Sequence, residues 1–175
     1  MDAVASDGKS RYWNRVPQIL ATWDAEKAVP WLEGYAAGGT PLVRRVVAST
    51  YATMRLNHLP QSLSKMATDP DMMVRSEAIS TLAKLTSQAK GEVLQAAVPL
   101  LLKNIQDTTI HREYHWGACD ALVEVGVSHP DVLPAMINLA RKSMNARLRE
   151  AMIEGLGEIG GDLRDDSEPS RQIAE

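Results

Sequence analysis

His111, His115 and Cys119, in the run HREYHWGAC, follow one another at intervals of four residues. On a helix that spacing sets two imidazoles and a thiol along one face, a set able to ligate zinc, nickel or iron. The same residues also fit structural roles: His111 near a helix start, His115 at a recurring position held elsewhere by arginine, and Cys119 as a small packing residue. The primary expectation is therefore no metal and no cofactor, with His111, His115 and Cys119 as the alternative ligand set. HExxH, GxxxxGK[ST] and GxGxxG patterns are all absent. Ser, His and Asp occur, but their spacing does not fix a triad.

The elements that must position such residues are helices. Phe is absent and Ala, Leu, Val and Met are abundant, which favours helix over sheet. The 175 residues suffice for one domain, and 45% apolar against 23% charged residues is ordinary for a globular chain. No apolar run approaches the ~20 residues that cross a bilayer. The polar N-terminus does not read as a signal peptide, and a lone Cys119 implies a reducing compartment, so a cytoplasmic location is expected. Residues 1–112 carry 13 Lys/Arg against 10 Asp/Glu, and residues 113–175 carry 6 against 12. That balance argues against a nucleic-acid partner, which needs a basic stripe.

Two markers recur in step. Counting from Arg75, apolar residues fall at +3, +7 and +10: Ala78, Leu82 and Leu85. Arg149 gives Met152, Leu156 and Ile159, and His115 gives Ala118, Leu122 and Val125. Arg45 gives Ala48 and Ala52, and then the stripe breaks at Arg55. Upstream stand the apolar-Pro pairs at Pro30, Pro60, Pro99 and Pro134, with spacings to these positions of 15, 15, 16 and 15 residues. The unit is helix, turn, helix. Asp69-Pro70-Asp71 makes the turn, with Asp71 placed to cap the second helix. Gly38-Gly39-Thr40-Pro41 also reads as a turn, Gly91, Gly126 and Gly160 as helix ends, and Pro99 as a kink.

Apolar-Pro-x-x-apolar, then Asp, then Val-Arg-x-x-Ala-x-x-x-Leu resembles the HEAT repeat, most closely over residues 59–86 and 133–160. The resemblance implies an all-α, right-handed α-solenoid of about four HEAT-like helix pairs, at residues 25–56, 59–86, 92–126 and 130–160. An N-terminal capping helix over residues 10–23 would precede them, after a flexible segment 1–9. A polar tail, 161–175, would follow. It further implies an interior Asp–Arg ladder, with Arg45, Asp71, Arg75 and Arg149 in its places and Asp107 and Asn145 as weaker counterparts. His115 replaces Arg in the third copy, and Thr40 stands where the first copy should hold Asp.

In such a stack, second helices form a concave wall suited to a macromolecule. Offsets +5 and +9 place Ser80, Lys84, Asp120, Glu124, Glu154 and Glu158 there, joined by Glu77 and Glu150. The first copy is expected to present Val46, Val47, Tyr51 and Met54. A scaffold or adaptor binding a protein or peptide, basic in character, follows by charge complementarity; the plain alternative is a solvated helix face. Trp116 and Asp120 are also similar to the Trp-x-x-x-Asp pair of alkylation-repair DNA glycosylases built on HEAT-like repeats. That resemblance implies an aromatic against a cationic base and a carboxylate stabilising charge at the sugar. HEAT-like iron hydroxylases use His-Glu dipeptides, which this chain lacks. Trp13, Trp23 and Trp31 form an aromatic group that either caps the first repeat or makes a homodimer contact, leaving a monomer or weak dimer.

Overall fold

The computed structural model describes residues 24–106, 112–126 and 129–162. Among them are eight α-helices and no strand: α1 (Ala25–Gly38), α2 (Pro41–Tyr51), α3 (Gln61–Met66), α4 (Met72–Gln88), α5 (Glu92–Asn104), α6 (Arg112–Val125), α7 (Val132–Lys142) and α8 (Ala146–Asp162). None of these helices is long and apolar enough to cross a membrane. The expected capping helix, with Trp13 and Trp23, lies outside the described residues, as do residues 1–9, Asp107, His111 and most of the tail. Trp31 is half-buried on α1, its ring tilted on Tyr35 with centroids 4.3 Å apart.

Local chemistry explains where several of the helices start. Asp71 accepts from the N–H groups of Met73 and Val74 at 2.9 and 3.1 Å, so it caps α4 as its position suggested. Asn145 does the same for α8 with Arg147 and Leu148. Thr40 caps α2 through Val43, and Pro41 occupies the first helical position, where a missing N–H costs nothing. Pro60 precedes α3 and offers no side-chain cap; Glu33 reaches over from α1 and accepts from Ser62 N–H at 3.0 Å.

Two glycine assignments change. Gly91 begins α5 instead of ending α4, at φ 60°, a backbone region that L side chains rarely adopt. Gly160 lies inside α8, which runs on to Asp162. Gly126 does follow directly on α6.

The even-numbered helices pack in chain order, α2 on α4, α4 on α6, and α6 on α8. Outside that row, α1 packs on α2 and α3, α3 on α4, α5 on α4, and α7 on both α8 and α5. Side chains from every helix share one core, in which Leu32, Leu63, Leu82, Leu101, Leu122, Met136 and Met152 are fully buried. Truncating any one of these to Ala removes about 2–5 kcal/mol.

The first copy sits one residue away from its expected register. Arg75, Arg149 and His115 are each the fourth residue of their helix, and in α2 the fourth residue is Arg44, not Arg45. Counted from Arg44, the stripe at +3, +7 and +10 is Val47, Tyr51 and Met54, all buried. The break at Arg55 therefore vanishes. The register is set by the N-cap, four residues before each of Arg44, Arg75 and Arg149, and only Gly39 and Thr40 separate α1 from α2, whereas residues 67–71 separate α3 from α4. Gly39 permits that tightness, since a Cβ there would meet the Tyr35 carbonyl at 2.5 Å and Val43 Cγ1 at 2.7 Å.

Candidate functional site

The polar interior between α2 and α4 is built from that register. Arg44 donates through Nε and Nη2 to both carboxylate oxygens of Asp69, at 2.7 and 2.9 Å, and through Nη1 to the Gly39 carbonyl at 2.7 Å. Asp69, not Asp71, is thus the acid that meets an arginine of α2, and Arg45 is not in the pair: its Nε is buried without a partner among the described residues. Burial alone would push the Asp69 carboxyl up. Hydrogen bonds from Arg44 and from the Asp71 N–H, with the charge of Arg44, hold it below the usual carboxylate range. The Asp69 hydrogen bond in turn raises the Arg44 guanidinium, against the lowering effect of its own burial.

Arg75 and Arg149 use the same position to clasp their own turns. Arg75 donates to the Asp69 carbonyl at 2.7 Å, and Arg149 to the Ser143 carbonyl at 2.7 Å. Ser143 accepts from Asn145 N–H as Asp69 accepts from Asp71 N–H, so Ser-Met-Asn and Asp-Pro-Asp are chemically matched turns. Next to this network, a cavity of about 500 Å³ between α1 and α3 is lined by Glu33, Arg44, Ser62 and Asp69. Its strongest polar groups already bond one another.

Tyr51 does not reach the surface. It is fully buried, and its hydroxyl bonds the buried Ser62 hydroxyl at 2.9 Å, while burial pushes the phenol upward. Val47 and Met54 are buried with it, so three of the four residues expected on the first copy's exposed face belong to the core. The residues that do occupy +5 and +9 there are Ser49, half-buried, and Thr53, exposed.

In the later copies those offsets reach the surface. Asp120 and Glu124 on α6, and Glu150, Glu154 and Glu158 on α8, are all exposed. None of the five carboxylates is in an ion pair among the described residues. A groove of about 330 Å³ between α4 and α6 brings Ser80 and Lys84 opposite Tyr114, Asp120 and Glu124, with Gly117 between them. Trp116 is exposed one turn before Asp120, yet it does not line the groove that Asp120 lines. The face thus changes from hydroxyls on α2, through Ser80 and Lys84 on α4, to carboxylates on α6 and α8. Tyr114 is the aromatic among the lining residues that the +5 and +9 offsets miss, and an aromatic at −1 from His115 was its available signal.

Cys119 and His115 are both buried. Burial, with the nearby Asp120 charge, pushes the Cys119 thiol up to about 12, which keeps it protonated and a poor metal ligand. Among the described residues no three His, Cys, Asp or Glu side chains converge as a metal site, and His111 lies outside them. No protein-family model matches the chain, and a comparison with curated proteins finds no match.

Proposed function

We propose that the chain is a right-handed, HEAT-like α-solenoid that works as a non-catalytic cytoplasmic scaffold or adaptor. On this reading it binds a basic segment of another protein along the exposed face of α4, α6 and α8. One observation carries the reading: unpaired carboxylates recur at the same two offsets on adjacent helices, beside a groove floored by Gly117. Tyr114 adds an aromatic face, against which an arginine side chain gains cation–π attraction. A row of like charges with no internal partner favours approach of an opposite charge and speeds encounter at low salt. The alternative, an alkylated-base glycosylase, needs Trp116 and Asp120 in one cleft, and the α4/α6 groove takes Asp120 alone.

The test is titration of a short arginine-rich peptide into the full chain, read by amide chemical shifts and repeated at raised salt. Shift changes are expected on α6 and α8, with affinity falling as salt rises. Reversal of Glu150, Glu154 and Glu158 to Lys is expected to weaken binding about tenfold or more, roughly 1.4 kcal/mol. Unchanged affinity in that variant, or shifts confined to the odd-numbered helices, removes the proposal.

A further inference from the structure

At the opposite end of the α2/α4 pair lies a second opening, produced by unequal helix lengths. Helix α2 has 11 residues and α4 has 17. With both aligned at their fourth residues, α4 runs on by about 9 Å, at a rise of ~1.5 Å per residue. The chain turns away after α2 through residues 52–56, and the gap left against the last turn of α4 and the start of α5 is a groove of about 530 Å³. Its floor is Met54, Leu85 and Val93, buried apolar side chains at 8, 4 and 1% exposure. Its rim carries Arg55 and Lys90, both exposed, and no carboxylate among the described residues lines it. Neither cation has an ion-pair partner among the described residues. Here it differs from the cavity at α1 and α3, where Arg44 pairs with Asp69 and Glu33 accepts from the Ser62 N–H.

We propose that this groove binds a small amphiphilic carboxylate, its alkyl body on Met54, Leu85 and Val93 and its headgroup held by Arg55 and Lys90. The volume falls in the ~300–1,000 Å³ range of small-molecule sites and is too small for a folded partner. Two cations above an apolar floor select an anion with a hydrophobic tail, since a neutral tail leaves the cations unused and an ammonium is repelled. The carbonyls at the end of α4 carry partial negative charge, which opposes any anion here and opposes a dianionic phosphate more than a carboxylate. The site is separate from the acidic face and does not depend on it.

Isothermal titration of the full chain with sodium octanoate, octylamine hydrochloride and octanol tests this. Octanoate is expected to bind at least tenfold more tightly than either comparator. The double reversal R55E/K90E should lose that preference and weaken octanoate by tenfold or more, whereas R55K should retain it. Both positions are exposed, so the thermal midpoints of the unliganded variants are expected to match that of the unaltered chain. Equal binding of octanoate and octylamine, or octanoate binding unchanged by the reversal, overturns the proposal, as does absence of binding at millimolar octanoate.

Discussion

Truncating two adjacent arginines separates the register found here from the one that proline counting suggests. Arg44→Ala removes a two-point contact to Asp69 and a third bond to the Gly39 carbonyl. It leaves the Asp69 carboxylate, 8% exposed, with the Asp71 N–H as its one hydrogen-bond donor among the described residues and the charge of Arg75 nearby. A hydrogen bond to a charged group contributes about 1.5–3 kcal/mol net, and removing one member of a fully buried pair costs ~3–5 kcal/mol. Arg44 keeps 21% of its side-chain surface, so water screens part of the loss. The expected cost is about 2–3 kcal/mol, or a fall of roughly 4–12 °C in thermal midpoint for a chain of this size. Arg45→Ala deletes a buried Nε that has no partner, losing only packing of the side-chain stem, and is expected to stay within about 1 kcal/mol. Urea unfolding of both variants, each also combined with Asp69→Ala, gives the coupling energies. Coupling of about 2 kcal/mol is expected for Arg44 with Asp69, and under ~0.5 kcal/mol for Arg45. An Arg45→Ala variant as unstable as Arg44→Ala would refute the assignment.

The same pair predicts an acid transition. The Asp69 carboxyl is held below its unfolded value, so its contribution is complete above that value, about 4, and fades as pH falls through the folded one. Asp69→Asn should therefore be less stable than the unaltered chain at pH 7, with the gap closing below about pH 4 in equilibrium unfolding. Two glycines of α8 should respond with opposite signs. A Cβ on Gly155 would meet Val123 Cγ2 at 2.6 Å and Met136 Cε at 3.1 Å, whereas nothing lies within 4 Å of one on Gly157. Gly155→Ala is expected to destabilise by about 1–2 kcal/mol, and Gly157→Ala to stabilise by up to ~1 kcal/mol through helix propensity; equal shifts in calorimetry would contradict this packing.

Helix content and the order of turns were legible because they rest on short-range chemistry. Asp71 capping α4 follows from one residue type at one position, and Ala78, Leu82 and Leu85 fall on one face by periodicity alone. The ladder partner was less legible. Asp69 and Asp71 both flank the turn, and which one caps and which one receives Arg44 depends on how α2 lies against α4. Glu33 capping α3 from α1 has no local signal either, since the two are 29 residues apart along the chain.

The one-residue shift in α2 shows how the start of a helix decides which side chains meet the core and which meet solvent. Proline spacing is a loose marker, because a proline tolerates several positions in a first turn, whereas an N-cap fixes the helix that follows it. Measured from Arg45, Arg55 interrupts the core stripe and Tyr51 faces solvent. Measured from Thr40, Met54 closes the stripe, Tyr51 bonds Ser62 inside the core, and Arg55 is released to the rim of the α2/α4 groove. The acidic face kept its place because α6 and α8 needed no shift. What a sequence of stacked helices displays on its surface is therefore decided by the residue that starts each helix, before any side chain on the face is considered.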